Sequence, residues 1–457
     1  MQNDDAVEQK YNKMTRGSVE RLVLSMSIPT IAIMLVSAIY NMADTYFVGQ
    51  IENCGTSATA AIGISFSVMA VIQATGFFFG QGSGNFVSRM LGAKNYEEAS
   101  HMAATGVVCS WIFGLVLGLL GLYFLEDICL FLGATPTVLP HAKRYLRYIF
   151  LAMPFMTGSL TLNNQLRFQG SAVHGMIGMM SGAVLNVILD PLFIFWMKLG
   201  VAGAGIATFI SQFFGFCLLF VATAYSGNVR VHITNFSARQ KYFVEIFKCG
   251  FPSLCRQGMG GIAMICLNKE TGYYGDAAIA AMAIASRTAH ISFSALIGLG
   301  QGFQPVCGFN YGAKLYSRVK RAFWFLVKVG SCLMTINAAL ACFFAPQIVS
   351  LFRADDAEVI RLGAIALRAQ CMAFPFVAWF TSCSMMCQIT GQTWKATILA
   401  VARQCLFFLP TLYLFAYYFK LDGIFYTQAT ADILSFFVAI PMGMIVLRGL
   451  PKDNEFK

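Results

Sequence analysis

The chain has 457 residues, of which 57% are hydrophobic and 12% charged, with 32 Lys and Arg against 21 Asp and Glu. A charged share roughly half that of ordinary soluble domains, with a mean hydropathy of +0.65, excludes a water-soluble core, which could not cover so much apolar surface. The net charge of +11 then belongs to membrane orientation rather than to a nucleic-acid footprint, and no nucleic-acid partner is expected.

Taken in chain order at about 20 residues per crossing, the charge-poor apolar runs predict twelve transmembrane helices. They fall at 21–48, 58–87, 100–125, 138–165, 173–197, 201–226, 244–272, 277–306, 320–348, 358–388, 395–418 and 423–447. The expected fold class is an all-α integral membrane protein. The polar residues before the first span show no short apolar core with a cleavage site, so no signal peptide is expected. Most of the 14 cysteines lie inside apolar spans at irregular spacing. They read as small packing residues, Cys383 and Cys387 included, and no metal site is expected among them.

Lys and Arg cluster in the N-terminal segment (Lys10, Lys13, Arg16, Arg21), the even-numbered loops (Arg89, Lys94, Arg230, Arg239, Lys241, Lys248, Lys314, Arg318) and the C-terminal tail (Arg448, Lys452, Lys457). Odd-numbered loops collect acids instead, among them Glu126, Asp127, Glu270, Asp276, Asp355 and Asp422. The bias predicts a multi-pass protein of the cytoplasmic (inner) membrane with both termini cytoplasmic. Lys143, Arg144 and Arg147 oppose it, at the outer end of span four.

The chain repeats itself. Gly80-Gln81-Gly82 and Gly92-Ala93-Lys94 recur 220 residues later as Gly300-Gln301-Gly302 and Gly312-Ala313-Lys314. Pro154 and Gly170 match Pro375 and Gly391, Pro29 matches Pro252, and Gly203 matches Gly423. A phosphate loop would need a strand before these glycines and a helix N-terminus after them; close helix approach and sharp loop exits explain them instead. A six-span unit used twice gives two pseudo-symmetric bundles related by an axis along the membrane normal, as in secondary transporters. The expected parts are a cytoplasmic tail at 1–20, bundles at 21–226 and 244–447, a cytoplasmic linker at 227–243 and a tail at 448–457.

An ionisable residue inside a span costs several kcal/mol unless it is paired or faces water, which makes each one a functional candidate. Asp44 in span one and Asp190 in span five lie at one depth, and no Lys or Arg lies deep in spans one, two, three, five or six. Either a proton or a metal cation must supply the missing charge, and either describes a coupling-ion site; sodium held by Asp44, Asn186 and Asp190 is the metal alternative. Asn41 is i−3 to Asp44 and Asn186 is i−4 to Asp190, so each amide shares a helix face with its acid. Pro191 cannot donate a backbone hydrogen bond and leaves the Val187 carbonyl free. Tyr40, Gln73, Asn163 and Thr208 are candidates for a substrate cavity. In the second half Arg256, Arg287, His290, Arg403 and Asp432 are candidates, with Arg287 and Asp432 expected to pair by depth. Gln257, Asn268 and Gln388 read as interhelical hydrogen bonding. The 42 Phe and 23 Met read mainly as packing, some of them lining a pliable cavity suited to organic cations.

Four segments carry a family resemblance: "NMADTYFVG" in span one, "GQGSGNFVSRMLGAKN" after span two, "LNVILDPLFIF" with "GVAGAGIAT" across spans five and six, and "GFPSLCRQ" opening span seven. The chain resembles, over roughly residues 17–450, the multidrug and toxic compound extrusion (MATE) family in its DinF-like or MepA-like bacterial branch. The resemblance implies an efflux pump exchanging protons or sodium ions for amphipathic, mostly cationic drugs by rocking one six-helix bundle against the other. It carries an N-lobe acidic site onto Asp44, Asn186 and Asp190, and Pro29, fifteen residues before Asp44, fits the branch's bending first helix; with Pro191, which breaks the backbone beside Asp190, it is a hinge candidate. Span seven departs from the sodium-coupled branch, having no buried acid.

The expected function is therefore an antiporter for organic cations, coupled to H⁺ or Na⁺, embedded in membrane lipid as a monomer and using no cofactor. The alternative is a related flippase or exporter of a lipid-linked sugar or an organic anion, which Arg256, Arg287 and Arg403 would suit. An enzyme is not expected, because the five histidines are scattered and none is paired with a nucleophile.

Overall fold

The computed structural model describes residues 2–51, 55–225, 229–352 and 356–451, without the side chains of residues 2–6, 38, 39, 41, 42, 44, 55, 56 and 276. Every extended element among the described residues is helical. In order these are α1 (Gln2–Arg16), α2 (Val19–Gly49), α3 (Gly55–Gly92), α4 (Tyr96–Tyr123), α5 (Leu125–Phe131), α6 (Leu139–Phe168), α7 (Ala172–Pro191) and α8 (Val201–Tyr225). The second half gives α9 (Gln240–Gly272), α10 (Asp276–Gly312), α11 (Tyr316–Phe343), α12 (Ala345–Phe352), α13 (Ala357–Cys371), α14 (Phe374–Ile389), α15 (Thr393–Val401) and α16 (Phe408–Arg448). Single π-helical turns follow α7 (Leu192–Trp196) and α15 (Ala402–Leu406).

Among the described residues eight helices are long and apolar enough to cross a membrane, or nine if α13 and α14, bent by 50°, form one span. Three further crossings bring the architecture into line with twelve. The basic and amide residues of α6 and α9 lower their mean hydropathy, and Thr393–Arg448 turns at Lys420, whose φ of 52° lies outside the helical range. The bend between α13 and α14 comes at Pro375, which lacks the N–H that would continue the helix; its counterpart Pro154 lies inside the unbroken α6.

The chain divides into two compact units, residues 1–16 with 32–254, and residues 17–31 with 255–457. The division falls away from the 227–243 linker, because the first parts of α2 and α9 each pack in the other half's unit. In the first unit, α6 is the hub for α3, α4 and α8. There the first half of α9 lies so close to α3 that a Cβ on Gly82 would stand 2.5 Å from the Ile246 carbonyl oxygen. Arg89 bonds Glu245 at 2.9 Å, and Lys241 bonds Glu98 at 2.5 Å. In the second unit the first half of α2 meets α10 in the same manner. A Cβ on Gly302 would stand 2.5 Å from the Ser27 nitrogen, and the Ser27 hydroxyl donates to the Leu299 carbonyl at 3.0 Å. Gly82 and Gly302 are thus the repeated points where a neighbouring helix backbone passes without room for a side chain, while Gly80 and Gly300 make space for the Asn164 and Met385 side chains.

The other repeated signatures are helix caps. After α3 the Asn95 N–H reaches the Met90 carbonyl at 2.9 Å and the Lys94 N–H reaches Leu91; after α10 Leu315 and Lys314 repeat both bonds to Asn310 and Tyr311. This is the Schellman arrangement, with lysine rather than glycine at the left-handed position, φ 58° at Lys94 and 60° at Lys314. Gly170 and Gly391 fill the matching position after α6 and α14, at φ 80° and 73°.

The segments read as a cytoplasmic tail and linker are ordered where the structure describes them. The polar N-terminal tail forms α1, which docks on the first unit: Met14 and Thr15 are buried, Lys10 hydrogen-bonds the Ser171 hydroxyl, and Lys94 stands 4.6 Å from the Tyr11 ring centre. The described part of the linker is tied to the same unit. The Val229 N–H donates to Gln169 at 3.1 Å, and the Asn235 amide donates to the Ser100 hydroxyl at 2.7 Å.

Candidate functional site

In the first unit α7 and α8 approach through small residues. A Cβ on Gly182 would lie 3.1 Å from the Ser211 carbonyl oxygen, and Gly215 passes Gly178 at 3.5 Å by the same measure. Helices meeting on such faces bring their polar side chains into mutual reach. One turn further along, Asn186 (1% exposed) meets Thr208 and Asp190, both fully buried. With its amide turned so that each atom faces its complement, Asn186 donates to an Asp190 carboxylate oxygen at 3.2 Å and accepts from the Thr208 N–H at 3.2 Å. Pro191 ends α7 directly after the carboxylate and the π turn begins, so the helix is interrupted beside its own acid. Such turns recur at functional sites. Asp44 and Asn41 lie in α2, and their side chains fall outside the described residues.

A cavity of about 310 Å³ opens next to this cluster, lined on α7 by Gly182 and Ala183 and on α8 by Ser211 and Gln212. Asn186 is one turn, about 5 Å, beyond the first pair. Tyr40 and Gln73, both expected at a cavity, line it, with Met69, Met156, Met179 and Phe66 as apolar wall. Thr208 meets Asn186 instead of lining it, and Asn163 packs elsewhere, against Gly175. Two lining residues carried no signal in the sequence. Ser159 (2% exposed) and Ser211 (fully buried) have hydroxyls with no hydrogen-bond partner among the described residues. Buried hydroxyls are ordinarily satisfied, and these two are available to whatever occupies the space.

The second unit holds a cavity of about 360 Å³ lined by Arg256, Gln257, His290, Phe293, Arg403 and Gln428, among others. Here the structure corrects the pairing expected from depth. Asp432 (2% exposed) is gripped by Arg403, Nε to Oδ1 at 2.6 Å and Nη2 to Oδ2 at 3.3 Å, and not by Arg287. The Gln428 amide donates to the same carboxylate at 2.8 Å. Arg287 is exposed and lines neither cavity. Matching depth ignored azimuth: the π turn Ala402–Leu406 swings Arg403 toward α16, while Arg287 stays on the outer face of α10. Pro29 is buried inside a helically assigned stretch of α2.

The basic cluster on α6 also has a setting. Lys143 bonds Glu126 at 2.6 Å, and Arg144 and Arg147 line a recess with Leu125, Leu139 and Pro140. Among the described residues no group of His, Cys, Asp and Glu is arranged to hold a metal ion.

Comparison with known proteins agrees with this architecture. The MatE family model matches residues 29–192 and again 261–414, one match in each half and more than half of the chain together. The multidrug export protein MepA of Staphylococcus haemolyticus (strain JCSC1435) is 27% identical over 425 residues, covering 93% of both chains. MepA of Staphylococcus aureus (strain NCTC 8325 / PS 47) is 28% identical over 443 residues, 96% of this chain and 97% of its own. Among solved structures, a MATE transporter in a bent conformation superposes with a TM-score of 0.90 at 24% identity, and one in a straight conformation with 0.89 at 25%. Each covers 96% of this chain and 98% of its own.

Proposed function

The chain belongs to the MatE family of multidrug efflux transporters, and from that premise we propose that it is an antiporter exporting amphipathic organic cations in exchange for H⁺ or Na⁺. The reading rests on one observation: a fully buried carboxylate, Asp190, lies within about two helical turns of a methionine-walled cavity carrying unsatisfied hydroxyls. An ionised carboxylate in that position favours an organic cation in the cavity, whose polarisable walls accept varied shapes. A proton or sodium ion arriving at Asp190, with Asn186 and the expected contribution of Asp44 and Asn41, removes that attraction and releases the cation. One site then serves two cations that exclude each other, and this competition is the coupling. Pro191 and the π turn supply the interrupted backbone that such a switch uses. In this reading the pump works as a monomer in the lipid of the cytoplasmic membrane, and the Lys and Arg bias supports cytoplasmic termini.

The test is export of ethidium from proteoliposomes with a pH gradient or a sodium gradient imposed separately. Wild type should respond to one of them, and Asp190→Asn should lose at least tenfold in rate while reconstituting normally. Export by Asp190→Asn at the wild-type rate would refute the assignment.

A further inference from the structure

The two cavities are copies of one space. Within α3 and α10 the 220-residue offset is fixed by the repeated glycines, and it pairs Phe66 with Ser286, Met69 with Ala289, Ala70 with His290 and Gln73 with Phe293. All four members of the first set line the cavity of the first unit, and all four of the second set line that of the second. Arg403 follows Gly182 and Ala183 by 221 and 220 residues, and these two also line the first cavity. Duplication has therefore kept the hollow and changed its lining. Where the first copy has alanine or glycine, the second has histidine and arginine.

We propose that the second cavity is a binding site for organic anions, specifically aromatic or apolar molecules carrying one carboxylate or sulfonate. It goes beyond the cation-export reading and stands independently of it. Arg256 on α9 and Arg403 on the π turn both reach the cavity, and no Asp or Glu is among the described residues lining it. Asp432 stands behind Arg403, engaging two of the five N–H donors that a guanidinium carries. The same guanidinium lies 4.2 Å from the centre of the Phe293 ring. It is thus clamped between a carboxylate and an aromatic face, and a fork held in advance loses little freedom when it binds an anion. Gln257 and Gln404 add neutral amide donors, while Phe374 and Met264 provide the apolar wall. The volume lies within the range of small-molecule sites.

The experiment uses purified full-length protein in nanodiscs of zwitterionic lipid, titrated with dansylglycine, an aromatic carboxylate, and with its uncharged methyl ester. Dansylglycine should bind saturably and at least tenfold more tightly than the ester. Arg256→Gln should weaken dansylglycine at least tenfold and leave the ester unaltered, and Arg256→Lys should restore part of the loss. Equal binding of acid and ester by wild type, which requires no variant to fold, would overturn the proposal. So would an Arg256→Gln protein that keeps wild-type affinity for the acid, or one that loses acid and ester alike. Asp190→Asn should bind dansylglycine as wild type does, so a failure of the cation-export reading is separable from a failure here.

Discussion

Gly302→Ala probes the helix contact on which the second unit is built. The added Cβ would stand 2.5 Å from the Ser27 nitrogen and 2.6 Å from its Cα, where ordinary van der Waals contact needs about 3.4–4 Å. Both obstacles are backbone, so no rotamer change relieves them, and the first half of α2 must retreat from α10 by roughly 1 Å. Overpacking of this kind costs about 1–3 kcal/mol. The retreat also stretches the Ser27 to Leu299 hydrogen bond, now 3.0 Å, worth about 1 kcal/mol. Alanine regains about 1 kcal/mol of helix propensity, leaving a net loss of about 1–3 kcal/mol. Gly258→Ala is the control, because nothing lies within 4 Å of a Cβ there; propensity alone acts and stability should rise slightly. Thermal unfolding in detergent, followed by intrinsic fluorescence, should separate the two variants in opposite directions. A Gly302→Ala protein as stable as Gly258→Ala would refute the close-approach account of the repeat.

Three further outcomes follow from local physics. Burial pulls the Lys10 ammonium from the usual lysine range down to about 8, so docked α1 favours the neutral amine. Docking should strengthen as pH rises from about 8 toward the ordinary value near 10.5, by at most about tenfold per pH unit. Hydrogen-exchange protection of α1 should show this rise in wild type and lack it in Lys10→Met. Lys314→Gly removes a side chain from a left-handed backbone and should stabilise by about 1 kcal/mol, whereas Lys94→Gly should gain less because it also loses the Tyr11 ring contact; melting temperatures decide. Arg403→Leu leaves the buried Asp432 carboxylate without its arginine and should cost about 3–5 kcal/mol, much of it recovered in Arg403→Leu/Asp432→Leu. Equal losses in the single and double variants would remove that pair from the energetics of the second unit.

The symmetry of the fold was legible because its requirements fall on glycine and proline, residues whose backbone constraints show in any sequence. Gly82 and Gly302 admit no side chain, and Gly170 and Gly391 sit at positive φ. Asp190 and Asn186 stood out as polar groups within an apolar run. Ser159 and Ser211 did not, because helix-borne hydroxyls commonly satisfy themselves on the preceding turn, and only coordinates reveal two that do not. The partner of Asp432 was misassigned because matching depth says nothing of azimuth, and Arg287 faces outward from α10 while Arg403 reaches the carboxylate. The order of α1 was invisible for another reason: a mostly polar helix can dock through two or three side chains, such as Met14 and Lys10, too few to leave a periodic signal.

The division of α2 and α9 between the units bears on how a chain like this could arise. Residues 17–31 complete the second unit, and residues up to Leu254 beyond the linker complete the first. A lone six-span ancestor would have had no neighbour to supply the missing segment, leaving a bare groove at the glycine on its second span. Such a protein would have been whole as a helix-swapped homodimer, each copy lending its leading segment to the other. Fusion in tandem made that loan permanent, and freed the two hollows to diverge in charge.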